Sequence, residues 1–130
     1  MRFEFEGPAI ASGACHCRAC QYAAGGAPTY VVGASREAFK VTQGEARLFL
    51  SKGDSGADVA RAFCPDCGTP LWSVPSSAQV PFIPVKVGAL DDPSAFQPQF
   101  HIYVDAAQPW HHLAASAIQF PKAPPLRPET

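Results

Sequence analysis

Cys15-His16-Cys17-Arg18-Ala19-Cys20 places three thiols in one short stretch, and Cys64-Pro65-Asp66-Cys67-Gly68 adds two more further along the chain. Those five are every cysteine in the 130 residues. Sulfurs spaced one and two residues apart can be aimed from one backbone turn at a common point. A soft, tetrahedral cation such as zinc requires that geometry. Disulfides fit poorly, because the count is odd, Cys15 and Cys17 are separated by a single residue, and no export signal opens the chain. A redox C-x-x-C of the thioredoxin kind would want a βαβ pattern after it, and none is visible.

The two clusters carry different information. Cys64-Pro65-Asp66-Cys67-Gly68 has the form of a zinc knuckle, with a tight turn between the ligands and a glycine to relax the backbone after the second. It points strongly to metal and weakly to function, and it supplies half of a closed four-ligand site. Cys15-x-Cys17-x-x-Cys20 says more. Three thiolates from one turn can hold zinc and leave its fourth position open to water or a substrate thiol, the feature that separates catalytic from structural zinc. Zinc with three thiolates carries net negative charge, so it is a weak Lewis acid but a good holder of a nucleophilic thiolate. Spacing alone leaves a second arrangement open, in which two of these cysteines join Cys64 and Cys67 in one closed structural site. A zinc nucleobase deaminase is excluded, since His16 is followed by Cys17 and Arg18 rather than x-Glu, and Pro65 lies inside the second cysteine pair.

The elements that must position these thiols are short. Fourteen prolines and ten glycines leave no room for long helices. Arg2 to Glu6 reads as a strand with Phe3 and Phe5 on one face. Further strands are expected at Tyr30–Val32, Phe39–Val41, Arg47–Leu50, Val59–Phe63, Leu71–Val74, Phe82–Val87 and Phe100–Val104. Pro84 suggests that the Phe82–Val87 strand is an edge or carries a bulge. Lys52 to Gly56 reads as a turn. Helix is expected only at Arg18–Ala24, ending at Gly25-Gly26, and as a single turn at Ser35–Ala38 capped by Ser35. Residues 1–120 read as one domain, and Pro121 to Thr130 as an extended proline-rich tail.

Composition narrows the function classes. A formal charge of −1 and a pI near 6.4 give no electrostatic footprint for nucleic acid or an anionic membrane. No apolar run approaches the roughly 20 residues of a membrane span. A reducing, cytoplasmic setting is expected. Among the remaining polar residues, His16 is expected to point away from a metal held by its neighbours. His111 and His112 beside Trp110 are candidates to line a pocket, with a surface turn as the plainer reading, and His101 reads as a packed or exposed strand residue rather than a ligand. Arg18 and Lys86 are candidate anchors for a substrate carboxylate, with solvated charge as the plainer reading. Tyr22 and Tyr30 would wall the site or fill the core, and Asp91-Asp92-Pro93 reads as turn chemistry.

Taken together, Cys15-His16-Cys17-Arg18-Ala19-Cys20-Gln21, Gly25-Gly26 and Arg61-Ala62-Phe63-Cys64-Pro65-Asp66-Cys67-Gly68-Thr69-Pro70-Leu71 resemble the glutathione-dependent formaldehyde-activating enzyme family, which shares its domain with centromere protein V. Gly88 to Pro93, His101 to Val104 and Pro109-Trp110 are similar to its C-terminal half. The resemblance implies an all-β fold of small irregular sheets around zinc, of the β-tent type, with at most one or two short helical turns. It implies zinc at Cys15, Cys17 and Cys20 in the active site, and Cys64 and Cys67 as half of a structural zinc site. It also implies a carbon–sulfur lyase that forms S-hydroxymethylglutathione from glutathione, or a similar thiol, and formaldehyde. A non-catalytic, zinc-stabilised binding module is the rival. The family's Gly-x-Cys-x-Cys-Gly segment, which precedes its first strand, has no counterpart before Arg2 to Glu6. A missing upstream segment is the favoured expectation; loss of the structural zinc and sharing of metal between the remaining clusters are the other two.

Overall fold

The structure, a computed structural model, describes residues 1–53, 56, 58–75 and 80–124. They fall into two compact units. The first comprises 1–11 and 31–96, the second 12–30 and 97 onward. The architecture is mostly β with short elements, as the proline and glycine content requires.

In the first unit, β1 (Arg2–Glu4) pairs antiparallel with β4 (Lys40–Gln43). A second sheet contains the antiparallel run β3 (Thr29–Ser35), β8 (Phe82–Lys86), β7 (Pro70–Val74), β6 (Asp58–Phe63), β5 (Arg47–Lys52). Its core is Val32, Ala34, Ala62, Cys64, Leu71, Trp72, Val85 and Val87, against which Phe3 and Phe39 pack. The Phe3, Phe39 and Trp72 rings meet at centroid distances of 5.0–5.6 Å, two of the three pairs edge to face. Such pairs are worth about 0.5–1.5 kcal/mol each beyond the area they bury. Phe3 and Phe39 thus fasten the small sheet to the larger one.

Pro84 corrects one expectation: β8 is an interior strand, and its register with β3 carries no bulge. The reason lies opposite it. Gly33, the register partner of Pro84, directs its N–H to the Ala11 carbonyl (2.7 Å) and its carbonyl to the Ile10 N–H (2.8 Å). The Gly33–Pro84 pair is therefore a non-hydrogen-bonded one, and the missing proline N–H costs the β3–β8 ladder nothing. The Ser35–Ala38 segment is a turn rather than a helix, with the Ser35 carbonyl accepting from Ala38 and Phe39. In the Lys52–Gly56 turn, Gly56 donates to Gly53, while Asp54 and Ser55 lie outside the described residues, as do 125–130 of the tail.

The second unit holds three short parallel strands in the order β10 (Ile118–Gln119), β9 (Phe100–Ile102), β2 (Ser12–Cys15). Helix α1 (Arg18–Ala23) follows β2 directly. Gly25 and Gly26 end it with φ of +71° and +103°, and Gly26 donates to the Gln21 carbonyl at 2.7 Å. Gly13 is fixed by packing: a Cβ there would overlap the Phe100 ring. No helix of the described residues is long and apolar enough to cross a membrane.

Candidate metal centre

Strand β2 and helix α1 supply the three clustered thiols. Cys15 ends β2 opposite Ile102 of β9, and the His16 N–H extends that ladder to the Ile102 carbonyl at 3.0 Å. Cys17 is the N-cap of α1, extended at φ −62° and ψ 154°, and its Sγ accepts from the Cys20 N–H at 3.4 Å. Cys20 sits in the first turn of the helix and is buried, whereas Cys15 and Cys17 are half-buried. The three sulfurs lie within 4.8 Å of one another. Tetrahedral zinc, with bonds of about 2.3 Å, needs its sulfurs about 3.8 Å apart, so small side-chain adjustments suffice. Among the described residues no fourth cysteine, histidine or carboxylate joins the group.

The donor set fits a soft cation in a second respect. Cys15 is pushed far above the ordinary thiol range by hydrogen bonds to Cys17 and Cys20, then by burial. Cys17 is also raised: its bond with Cys15 pulls it down, but Cys20 and burial prevail. Three crowded thiols oppose one another's ionisation, and a cation bound among them removes that opposition. The group can hold a metal ion.

His16 turns away from the sulfurs into a chain of imidazoles. It is fully buried, with Nε2 at 2.8 Å from His101 Nδ1 and Nδ1 at 2.9 Å from His111 Nδ1. The ends of the chain fix every proton. Ala114 N–H donates to His101 Nε2 (3.1 Å), so His101 must carry its proton on Nδ1 and donate to His16. Neutral His16 then carries its own on Nδ1 and donates to His111, whose Nδ1 also accepts from the Gln108 N–H (3.2 Å). His111 Nε2–H is left to donate to the Gly26 carbonyl at 2.8 Å. All five bonds are satisfied by three neutral rings. Both ends stop on backbone groups that pass no proton onward, so the chain is a brace rather than a relay. Burial, and then the charges His101 and His111 would bring, hold His16 down at about 4, against a weaker upward pull from Cys20. Burial and His112 lower His101 as well.

This brace was not legible in the sequence. His111 is joined to it rather than lying on a plain surface turn, His101 is packed at 1% exposure, and His112 alone is exposed. Tyr22 and Tyr30 do not fill the core; Tyr22 is 80% exposed beside the turn. Lys86 is no solvated anchor but a buried residue of the first unit whose Nζ donates to Ser73 Oγ at 3.0 Å. Asp92 does make turn chemistry, accepting from the Ser94 N–H and hydroxyl, and Asp91 pairs with Arg2.

Cys64 and Cys67 belong to the first unit. The knuckle is closed by Gly68 N–H to the Cys64 carbonyl (2.7 Å) and Cys64 N–H to the Thr69 carbonyl (2.9 Å), and Gly68 takes φ +76°. Cys64 is buried in the core; Cys67 is exposed, 3.0 Å from Thr69 Oγ1, and that bond leads the influences that lower its thiol. Both face a cavity of about 600 Å³ shared with Phe3, Phe5, Leu71 and Leu90. No third donor joins this pair among the described residues.

No curated protein matches the chain. The family described as glutathione-dependent formaldehyde-activating enzyme matches residues 1–106. That match takes in both cysteine clusters, β2, α1 and the His101 end of the brace. The chain belongs to the glutathione-dependent formaldehyde-activating enzyme family.

Proposed function

We propose that the chain is a zinc-dependent enzyme of the carbon–sulfur lyase type, working in the direction of addition. A low-molecular-weight thiol such as glutathione adds to formaldehyde to give S-hydroxymethylglutathione. The S–C bond forms, the carbonyl π pair moves to oxygen, and the thiol proton ends on that oxygen, with no net oxidation. The observation that carries the reading is the group of three sulfurs within 4.8 Å, two of them half-exposed and none paired with a fourth protein donor among the described residues.

Cys15, Cys17 and Cys20 would hold the zinc, which when bound supplies the positive charge that favours the thiolate form of an incoming thiol. The residues around them do the rest. Backbone bonds of Cys15 and His16 to β9 fix one side of the turn, and the imidazole brace fixes the other. An arrangement that meets the substrate already in place avoids reorganisation during the reaction. Cys64 and Cys67 would take a structural part, as two of the four ligands that a second, structural zinc needs. A reducing, cytoplasmic compartment would keep all five thiols free.

NMR exchange spectroscopy on glutathione and formaldehyde tests the proposal. Zinc-loaded protein should accelerate exchange between free and hydroxymethylated glutathione in proportion to its concentration. An unchanged exchange rate at high protein concentration would reject the enzyme and favour a zinc-stabilised binding module.

A further inference from the structure

Gln21 is the hub of a second buried network in the same unit. At 1% exposure, its Nε2 donates to the carbonyls of His16 (2.7 Å) and Ala106 (2.9 Å). Its Oε1 accepts from Gln108 Nε2 at 3.1 Å and from Arg18 Nη1. Both donors and both acceptor positions of the amide are filled, so rotating it would break four bonds in a buried setting. Arg18, one residue after Cys17 and two before Cys20, is thereby held by an immobile acceptor. Its guanidinium also lies 5.1 Å from the Tyr22 ring centroid, a cation–π distance.

Arg18 differs from the paired cations of the molecule. Among the described residues Arg2, Lys40, Lys52 and Lys122 each meet an acidic side chain, and Arg18, although exposed, meets none. A surface arginine ordinarily gives up rotamer freedom when it binds; Arg18 has given it up in advance. With Nη1 engaged by Gln21, the Nε–Nη2 edge is left, and that edge matches a carboxylate through two parallel hydrogen bonds. Charge argues the same way. Zinc with three thiolates is net negative and would repel an anionic thiol unless a fixed cation stood nearby.

We infer that Arg18 is the carboxylate anchor of the thiol site, and that the site selects low-molecular-weight thiols bearing a carboxylate over neutral ones. The inference rests on the proposed thiol reaction. Gln21 and Gln108 are positioning residues that act through Arg18.

The test compares glutathione with its diethyl ester, which keeps the thiol and loses both carboxylates. Arg18→Gln should lower kcat/KM for glutathione about tenfold or more, the worth of a charge-assisted hydrogen bond. The drop for the diester should be several-fold smaller, with zinc content and Tm held at wild-type values. Arg18→Lys should recover part of the loss, because a point charge cannot fork. Equal losses for both thiols, or none for glutathione, would overturn the inference. Binding of S-methylglutathione, which cannot react, separates this idea from the proposed reaction. By ligand-observed NMR, Arg18→Gln should weaken it about tenfold even if the wild type turns over no thiol. Unchanged binding, or no binding to the wild type, overturns the anchor.

Discussion

The molecule treats its two thiol clusters in opposite ways. The Cys15–Cys17–Cys20 turn is backed by a buried shell of polar side chains, His16, His101 and Gln21, whose hydrogen bonds are satisfied. The Cys64–Cys67 knuckle is backed by hydrocarbon: Cys64 packs in the core of the first unit with Leu71 and Trp72. A polar shell is costly unless complete, and it specifies geometry; an apolar core tolerates small displacements and supplies stability. Under the proposed reaction, thiols that meet a substrate would need the first kind of support, and thiols that hold a fold together only the second.

The largest expected effect comes from Cys17→Ser. It should abolish zinc at the turn and lower thiol turnover by about 100-fold or more, since the charge it helps to hold is worth several kcal/mol to the reaction. Circular dichroism should remain native, because Cys17 is a half-buried cap rather than a core residue. Cys64→Ser should do the reverse, lowering Tm by several degrees through a hydroxyl placed in the core while leaving turnover per folded molecule near wild type. If both variants lost activity and stability in parallel, the contrast would break.

His111→Ala probes the brace. It removes the acceptor for His16 Nδ1–H and the donor to the Gly26 carbonyl. Leaving buried partners unpaired costs about 1–3 kcal/mol. Denaturant unfolding should show that loss, and zinc affinity should fall with it. Gly13→Ala should cost a similar amount, about 1–3 kcal/mol, by forcing Cβ into Phe100. A fully stable Gly13→Ala protein would mean that β2 and β9 are not registered as described.

Acid should weaken the brace before it touches the carboxylates. His16 is held at about 4 and His101 is also lowered, both from an ordinary value of 6.5. The unfolded chain therefore binds more protons below about 6.5, and the brace's contribution, complete above that pH, declines as pH falls toward 4. Asp91 and Asp92 are lowered from 3.8 by Arg2 and by Ser94, so their contributions are lost only at more acid pH. Unfolding midpoints between pH 7 and 4.5 should fall in the wild type and fall less in a variant already lacking His111. The smallest effect is Arg2→Ala: the ion pair with Asp91 is exposed, and Tm should not move measurably.

Much of the first unit could be read from sequence, because its strands advertise themselves with β-branched and aromatic residues. Arg47 to Leu50 and Val59 to Phe63 match β5 and β6 closely. The second unit was harder. Ser12-Gly13-Ala14-Cys15 has no side chain with a strand preference, and β2 forms because Gly13 lets Phe100 approach. The sulfur cluster was legible because its donors are local in sequence, and helix α1 because Gly25-Gly26 closes it. The brace was not, because His16 meets partners 85 and 95 residues away, and no spacing rule spans that distance. Pro84 misled for a related reason, since the cost of a missing N–H depends on which side of the ladder it faces.

Under the proposed function, the Cys15–Cys17–Cys20 turn holds a metal of its own, independently of Cys64 and Cys67. The zinc-to-protein ratio of Cys17→Ser, Cys64→Ser and the double variant, measured after extensive desalting, tests it directly. Independent sites predict that Cys64→Ser keeps the zinc that Cys17→Ser loses, and that the double variant adds the two losses. A single zinc lost equally in all three proteins would contradict the account.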